Sequence, residues 1–163
     1  MTAEKSTIEA FLSENGTVVY NIRGVSMLPL LRQKKDLVIV RRKEDVRYGV
    51  GDVVLYRRAS GQIVLHRIIG MRPDGYVLRG DNCVRREYGV RDRDIMGKMT
   101  GFVRSGREHR VEDTSCRIYT FVWLRTGFLR VGLKRLHAVG KALVRGERPA
   151  VSEDAAPAGV WKQ

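Results

Sequence analysis

Short runs rich in β-branched residues and tyrosine, separated by glycine-containing turns, fill most of the chain between residues 17 and 111. A strand needs only five or six such residues, whereas a helix needs an apolar stripe sustained over several turns. Residues 17–22, 37–40 and 52–57 read as the first three strands. Ala59-Ser60-Gly61 then turns the chain into 62–69, the hairpin partner of the third. Pro73-Asp74-Gly75 is a turn with a cause, since proline presets one dihedral and glycine accepts a positive one. Residues 76–78 come after it, and 95–103 and 108–111 close the series across Ser105-Gly106. One short helix over 4–13, with Ile8, Phe11 and Leu12 on one side and Asn15-Gly16 as its stop, precedes the strands. The expected fold is mainly β: a coiled antiparallel sheet with a short leading helix.

From about Ser115 the period changes. Ile118, Phe121, Val122, Leu129, Leu133, Leu136, Val139 and Leu143 fall on one helical stripe, with Arg130, Lys134, Lys141 and Arg145 nearly opposite. This predicts a basic amphipathic C-terminal helix, broken near Gly127 or Gly132. The stretch from Arg148, with proline, alanine, serine and acidic residues, reads as a disordered tail. The expected organisation is therefore a β-rich domain over 1–113, a basic helical extension over 114–147 and a tail over 148–163.

Charge narrows the partner only slightly. Against 18 Asp+Glu stand 31 Lys+Arg, a formal net charge of +13. Such a surface attracts phosphates, anionic headgroups or acidic peptides. No zinc-finger, RNA-recognition or helix-turn-helix pattern is present, so nucleic acid is not the expected partner. Cys83 and Cys116 lack metal-ligand spacing with a histidine, and reduced thiols are the plain reading. Neither a metal nor a cofactor is expected. The N-terminus has no apolar core for a secretion signal, and no segment approaches the roughly 20 apolar residues of a membrane span. The expected location is cytoplasmic, with peripheral membrane contact left open.

The most informative segment is Gly24-Val25-Ser26-Met27-Leu28-Pro29. A serine placed just after a strand, behind a glycine and ahead of a proline-stiffened turn, can present its hydroxyl from a rigid bend. Most serines in such company are simply turn residues. Three segments further along the chain distinguish Ser26 from these. Gly51-Asp52-Val53-Val54 opens one strand, Leu65-His66-Arg67-Ile68 lies in the next, and Arg79-Gly80-Asp81-Asn82 comes after the turn beyond that.

These segments, in this order, resemble the signal peptidase and LexA-like serine peptidase superfamily. Its pattern is a Ser-Met-x-Pro nucleophile box, a Gly-Asp at a strand start, and a general base on the next strand. The resemblance runs from about Ile22 to Met99. Most bacterial members carry lysine as base; His66 at that position matches the endoplasmic-reticulum and archaeal type instead. Gly80-Asp81-Asn82 matches the segment that supplies an acidic residue in that type.

The resemblance implies Ser26 as nucleophile, His66 as base and Asp81 as the carboxylate that orients it. Asp92 and Asp94 are the reserves for that third role. The chemistry fits, because a serine hydroxyl is a poor nucleophile until a neighbouring base takes its proton. A neutral imidazole can do so near neutral pH, and a carboxylate on its other nitrogen fixes the tautomer. Backbone N–H groups, including that of Ser26, would meet the oxyanion. Gly51-Asp52 reads as a structural turn. Cys83 reads as a strand-end thiol or a lining of the same cleft, and His109 and His137 have no chemical role.

Signal peptidases carry membrane anchors, and LexA-like repressors carry a DNA-binding domain before the serine; neither is expected in this sequence. What remains is a processing peptidase acting on a peptide or precursor bound in extended form. The rival is a non-catalytic module of the same fold, holding an acidic partner or nucleic acid through its basic surface. Two readings of the C-terminal helix also stand: its apolar stripe docks on protein, or it lies on an anionic membrane surface.

Overall fold

The computed structural model describes residues 3–42 and 48–144. Helix α1 (Ala3–Asn15) leads into β1 (Thr17–Asn21) and β2 (Asp36–Arg42). Then come β3 (Val53–Arg57), β4 (Ile63–Arg72), β5 (Gly75–Arg79) and β6 (Glu87–Val90). A 3-10 turn (Asp92–Asp94) precedes β7 (Ile95–Arg104) and β8 (Arg107–Arg110), and two helices complete the order, α2 (Thr114–Arg125) and α3 (Gly127–Val144). The eight strands form one sheet in the order β1-β2-β7-β3-β4-β5-β6, with β8 also paired to β7, and every pairing is antiparallel. The expected class, mainly antiparallel β with a leading helix and C-terminal helices, is what the chain adopts.

Strand alternation divides the interior into two cores. On β3, Val53 and Leu55 enter a core with Leu12, Val18, Met27, Val40 and Phe102, while Val54 enters a second with Tyr56, Ile68, Leu78 and Ile95. This explains why β3 reads as an unbroken apolar run, since a strand covered on both faces has no solvent side to make polar. Each fully buried Val, Leu or Ile contributes about 1.5–3 kcal/mol. Leu12 is the residue by which α1 closes the first core.

A buried charge cluster fixes the segment between Ser26 and β2. The Asp36 carboxylate accepts from Arg104 Nη2 at 2.6 Å, from the Arg32 backbone N–H at 2.8 Å and from Arg32 Nη2 at 3.2 Å. Arg104 Nη2 also donates to Leu30 O at 2.7 Å. Burial raises the Asp36 pKa, but the hydrogen bonds from Arg104 and Arg32 outweigh it and hold the group at about 2. The turn that carries Ser26 is thereby tied at its far end to the long strand β7.

One stretch of secondary structure was not expected from the sequence. Strand β6 and the 3-10 turn after it lie in a charged run, Arg85 to Asp94, that shows neither alternation nor β-branched enrichment. As expected, the C-terminal helical stretch breaks beside Gly127, at Thr126. The described residues up to Gly127 form one compact unit, which holds the sheet and α2. A second unit begins at Phe128. Its described part is α3, on which Phe128, Leu129, Leu133 and Leu136 are exposed. The tail over 148–163 lies outside the described residues. Among the described residues, no helix is long and apolar enough to cross a membrane.

Candidate active site

Ser26 sits half-buried in the turn after β1, next to Met27, which is sealed in the first core. Gly24 takes φ +93°, a conformation other residues rarely adopt, so the chain can reverse just ahead of the serine. Leu28 N–H donates to Val25 O at 3.2 Å and Leu31 N–H to Met27 O at 2.9 Å, so the turn is internally bonded. The segment after β5 clamps it from outside. Asn82 N–H donates to Ser26 O at 2.8 Å, and Asn82 Nδ2 donates to Val25 O at 3.1 Å.

Gly80 explains why that clamp can close. A Cβ at this position would fall 2.7 Å from Ser26 O, 2.8 Å from Cys83 Sγ and 3.0 Å from His66 Nε2. Only a residue without a side chain lets the β5 loop pass between them. The same distances place Nε2 of His66 and the backbone of Ser26 around one point. The two sequence-predicted residues, far apart in the chain, are brought to one locus.

His66 lies on β4 and is almost wholly buried. Its Nδ1 is 3.1 Å from Glu87 Oε1 and 3.3 Å from Tyr56 Oη. Glu87 is in turn held by Arg58, whose Nε donates to Oε2 at 2.9 Å and whose Nη2 bonds Oε1. Burial pushes the His66 pKa down, and Arg58 adds to this; the Glu87 charge pulls it up without offsetting the burial. Glu87 itself is raised by burial but lowered more by Arg58 and Tyr56, so it stays ionised. Tyr56 is pushed above the usual tyrosine value by burial and by Glu87, and stays protonated. The consistent assignment is a neutral imidazole that donates Nδ1–H to the carboxylate and keeps its Nε2 lone pair on the Ser26 side.

The carboxylate at His66 Nδ1 is thus Glu87, and the one expected from the sequence, Asp81, has other hydrogen-bond partners. Asp81 accepts from Arg67 Nε and Nη2, both at 2.8 Å, and from Tyr119 Oη at 3.0 Å. Arg67 also donates to Gly51 O at 2.8 Å and Thr120 Oγ1 at 3.1 Å. The physical reason is strand alternation: His66 and Arg67 are neighbours on β4 and point to opposite faces, and Asp81 goes with Arg67. Asp81 thus joins the sheet to α2 just beside the loop that clamps Ser26. Neither reserve takes the role. Asp92 accepts from Tyr76 Oη at 3.0 Å, and Asp94 caps the 3-10 turn by accepting from Arg91 N–H at 2.9 Å. Gly51-Asp52 shapes the start of β3 as expected: Asp52 accepts from Gly49 N–H at 2.9 Å and pairs with Lys98 at 2.7 Å.

Glu87 is the residue that sequence reasoning misses. Its one local signal is an acid directly after two arginines in a charged run, which reads as a solvated surface unless β6 is recognised. An open cleft of about 1190 Å³ begins at His66 and Cys83 and extends along Glu87 toward Arg58 and Arg93. Cys83 lines the same cleft as His66. His109 stacks on Phe102 with ring centroids 4.9 Å apart, a packing role. Among the described residues, no group of three or more His, Cys, Asp or Glu side chains is placed to hold a metal ion. No family model, curated protein or solved structure matches this chain.

Proposed function

We propose that the chain is a serine peptidase of the signal peptidase and LexA-like type, in which Ser26 attacks the scissile carbonyl and His66 is the general base. The observation that carries this reading is the disposition of the imidazole. One nitrogen is fixed by a buried, arginine-held carboxylate, and the other is turned to the backbone of a serine on a glycine-hinged turn. A purely structural histidine needs no such asymmetry. Nucleophile, base and orienter in this relation are the working parts of acyl transfer.

In the cycle, Nε2 takes the Ser26 Oγ proton as the oxygen bonds the carbonyl carbon. The resulting imidazolium is stabilised by Glu87 and then protonates the departing amine. Water, deprotonated by the same nitrogen, cleaves the acyl-serine ester and restores the hydroxyl. Backbone N–H groups of the Ser26 turn are the candidate oxyanion donors. The substrate is a peptide or precursor protein, lying extended beside the terminal strand β6, which borders the cleft. The resemblance in the Ser26, Asp52 and His66 segments supports the reaction class, and a cytoplasmic processing role goes with it.

The test is mass spectrometry of new N-termini after incubating wild-type protein and Ser26→Ala with a lysate of the source organism. Cuts made by wild type and missing with Ser26→Ala support the proposal, and their parallel loss in His66→Ala assigns the base. Identical N-termini from all three proteins would overturn it in favour of a non-catalytic binding module.

A further inference from the structure

The cleft that starts at His66 is unevenly charged. Its arginines fall into two groups. Arg57 is paired with Glu9, and Arg58 is committed to Glu87, the carboxylate that holds the base. Arg93 has only a loose contact with Asp94, at 4.0 Å and with its own side chain 75% exposed. Arg85 and Arg86 line the same cleft, are exposed, and have no acidic partner among the described residues.

These last two lie on the short stretch between the loop that clamps Ser26 and the strand that presents Glu87. Their backbone is fixed at both ends: Cys83 N–H donates to Gly80 O at 2.9 Å on one side, and Glu87 pairs with Leu78 on the other. Two guanidinium groups thus line the cleft that His66 borders, a cavity large enough for several residues of an extended chain.

Resting on the peptidase reading, we infer that Arg85 and Arg86, with Arg93 further along, form a subsite for acidic side chains of the substrate peptide. A carboxylate on the peptide would meet the fork of donors that arginine offers to such groups. Peptide fits better than nucleic acid here. Bases need open aromatic faces to stack on, and of the two tyrosines lining the cleft, Tyr56 is buried while Tyr88 has the Arg72 guanidinium over its ring at 4.5 Å. The subsite also explains why Glu87 must be neutralised by Arg58: an uncompensated carboxylate at that point would repel the same substrate.

The test measures binding without turnover. Ser26→Ala protein is titrated, by fluorescence anisotropy, against a labelled Ala/Ser-rich peptide carrying an adjacent Glu-Glu pair and against the same peptide with Gln-Gln. The Glu-Glu peptide is expected to bind about ten-fold tighter at low salt, with the preference shrinking as salt rises. Arg85→Glu/Arg86→Glu should abolish the preference. Arg107→Glu/Arg110→Glu, an equal charge change on β8, should leave it intact. Equal affinity for the two peptides, or equal loss in both double variants, would overturn the subsite. So would a short mixed-sequence oligonucleotide that binds more tightly than the Glu-Glu peptide through the same two arginines. Because no cleavage is read, these results are independent of whether wild type cuts the lysate: the subsite can fail with the peptidase intact, and the reverse.

Discussion

His66 Nδ1 and Glu87 Oε1 lie 3.1 Å apart although their strands, β4 and β6, are separated by β5 in the sheet. The contact depends on the Glu87 side chain reaching past one strand, and Arg58 from the end of β3 holds it there. The imidazole, the carboxylate at its Nδ1 and the guanidinium that holds this carboxylate thus come from β4, β6 and the turn after β3, while the loop after β5 brings the Ser26 turn near.

Glu87→Gln keeps the size of the side chain but removes the charge that stabilises the imidazolium. Turnover of any Ser26-dependent substrate should fall by about 10²–10⁴ at pH 7, the contribution of a positioned acid–base group, with neutralisation of the carboxylate in a Ser-His-Asp triad at the upper end. Asp81→Asn should not give this signature. Comparing kcat for the two variants, with circular dichroism confirming both folds, separates the roles. Unchanged kcat in Glu87→Gln would remove Glu87 from the site.

The pH dependence has a definite sign. Burial lowers the His66 pKa in the folded protein. The rising acid limb of kcat/KM should therefore lie below the ordinary histidine value of about 6.5. Since Glu87 raises that pKa, Glu87→Gln should move the limb to still lower pH while reducing its height. Stability obeys the same linkage. Above about pH 6.5 the imidazole is neutral in both states; as pH falls below it, the unfolded chain binds the proton first and the native state loses stability, down to the native pKa. Urea midpoints for wild type and His66→Gln across pH 5 to 8 would show the difference shrinking toward acid if this is correct, and a flat difference would refute it.

Asp81→Asn leaves the buried Arg67 guanidinium without its charge partner. Breaking one side of a buried pair costs about 3–5 kcal/mol. The loss should appear as a lower denaturant midpoint at pH 7. Since Asp81 also receives the Tyr119 hydroxyl, α2 should loosen with it, and amide exchange in residues 114–125 should rise before that of the sheet.

Gly80→Ala puts a Cβ where Ser26 O, Cys83 Sγ and His66 Nε2 already crowd. Overpacking of this kind costs about 1–3 kcal/mol. The larger effect should be on turnover, because relief must come from displacing the Ser26 turn or the His66 ring. The check is kcat against the denaturant midpoint: a variant with wild-type kcat would show that the loop passes the site without setting its geometry.

Much of the fold was legible because its causes are local. Val53 to Tyr56 announce a strand by β-branching and a turn on either side, and Pro73-Asp74-Gly75 fixes where a hairpin reverses. Ser26 and His66 stood out because the chemistry needs a serine on a stiff turn and a histidine within an apolar strand. The carboxylate was different. Asp81 sits at the expected distance along the chain, yet it pairs with Arg67, one residue from His66 and on the opposite face.

By itself, then, the sequence determined an antiparallel β protein with a helical C-terminal part, and it singled out the Ser26 turn and the His66 strand. Both depend on interactions within a few residues: turn dihedrals, side-chain alternation and helical period. Only the tertiary structure decided that Glu87 faces Nδ1 of His66, that α2 is bound to the sheet through Arg67 and Asp81, and that Arg85 and Arg86 line the cleft. These outcomes depend on which strands lie side by side and on which charges cannot be buried without a partner. A carboxylate in a partly closed site goes to the cation that can satisfy it, and which cation that is depends on faces and strand order that no short stretch of sequence encodes.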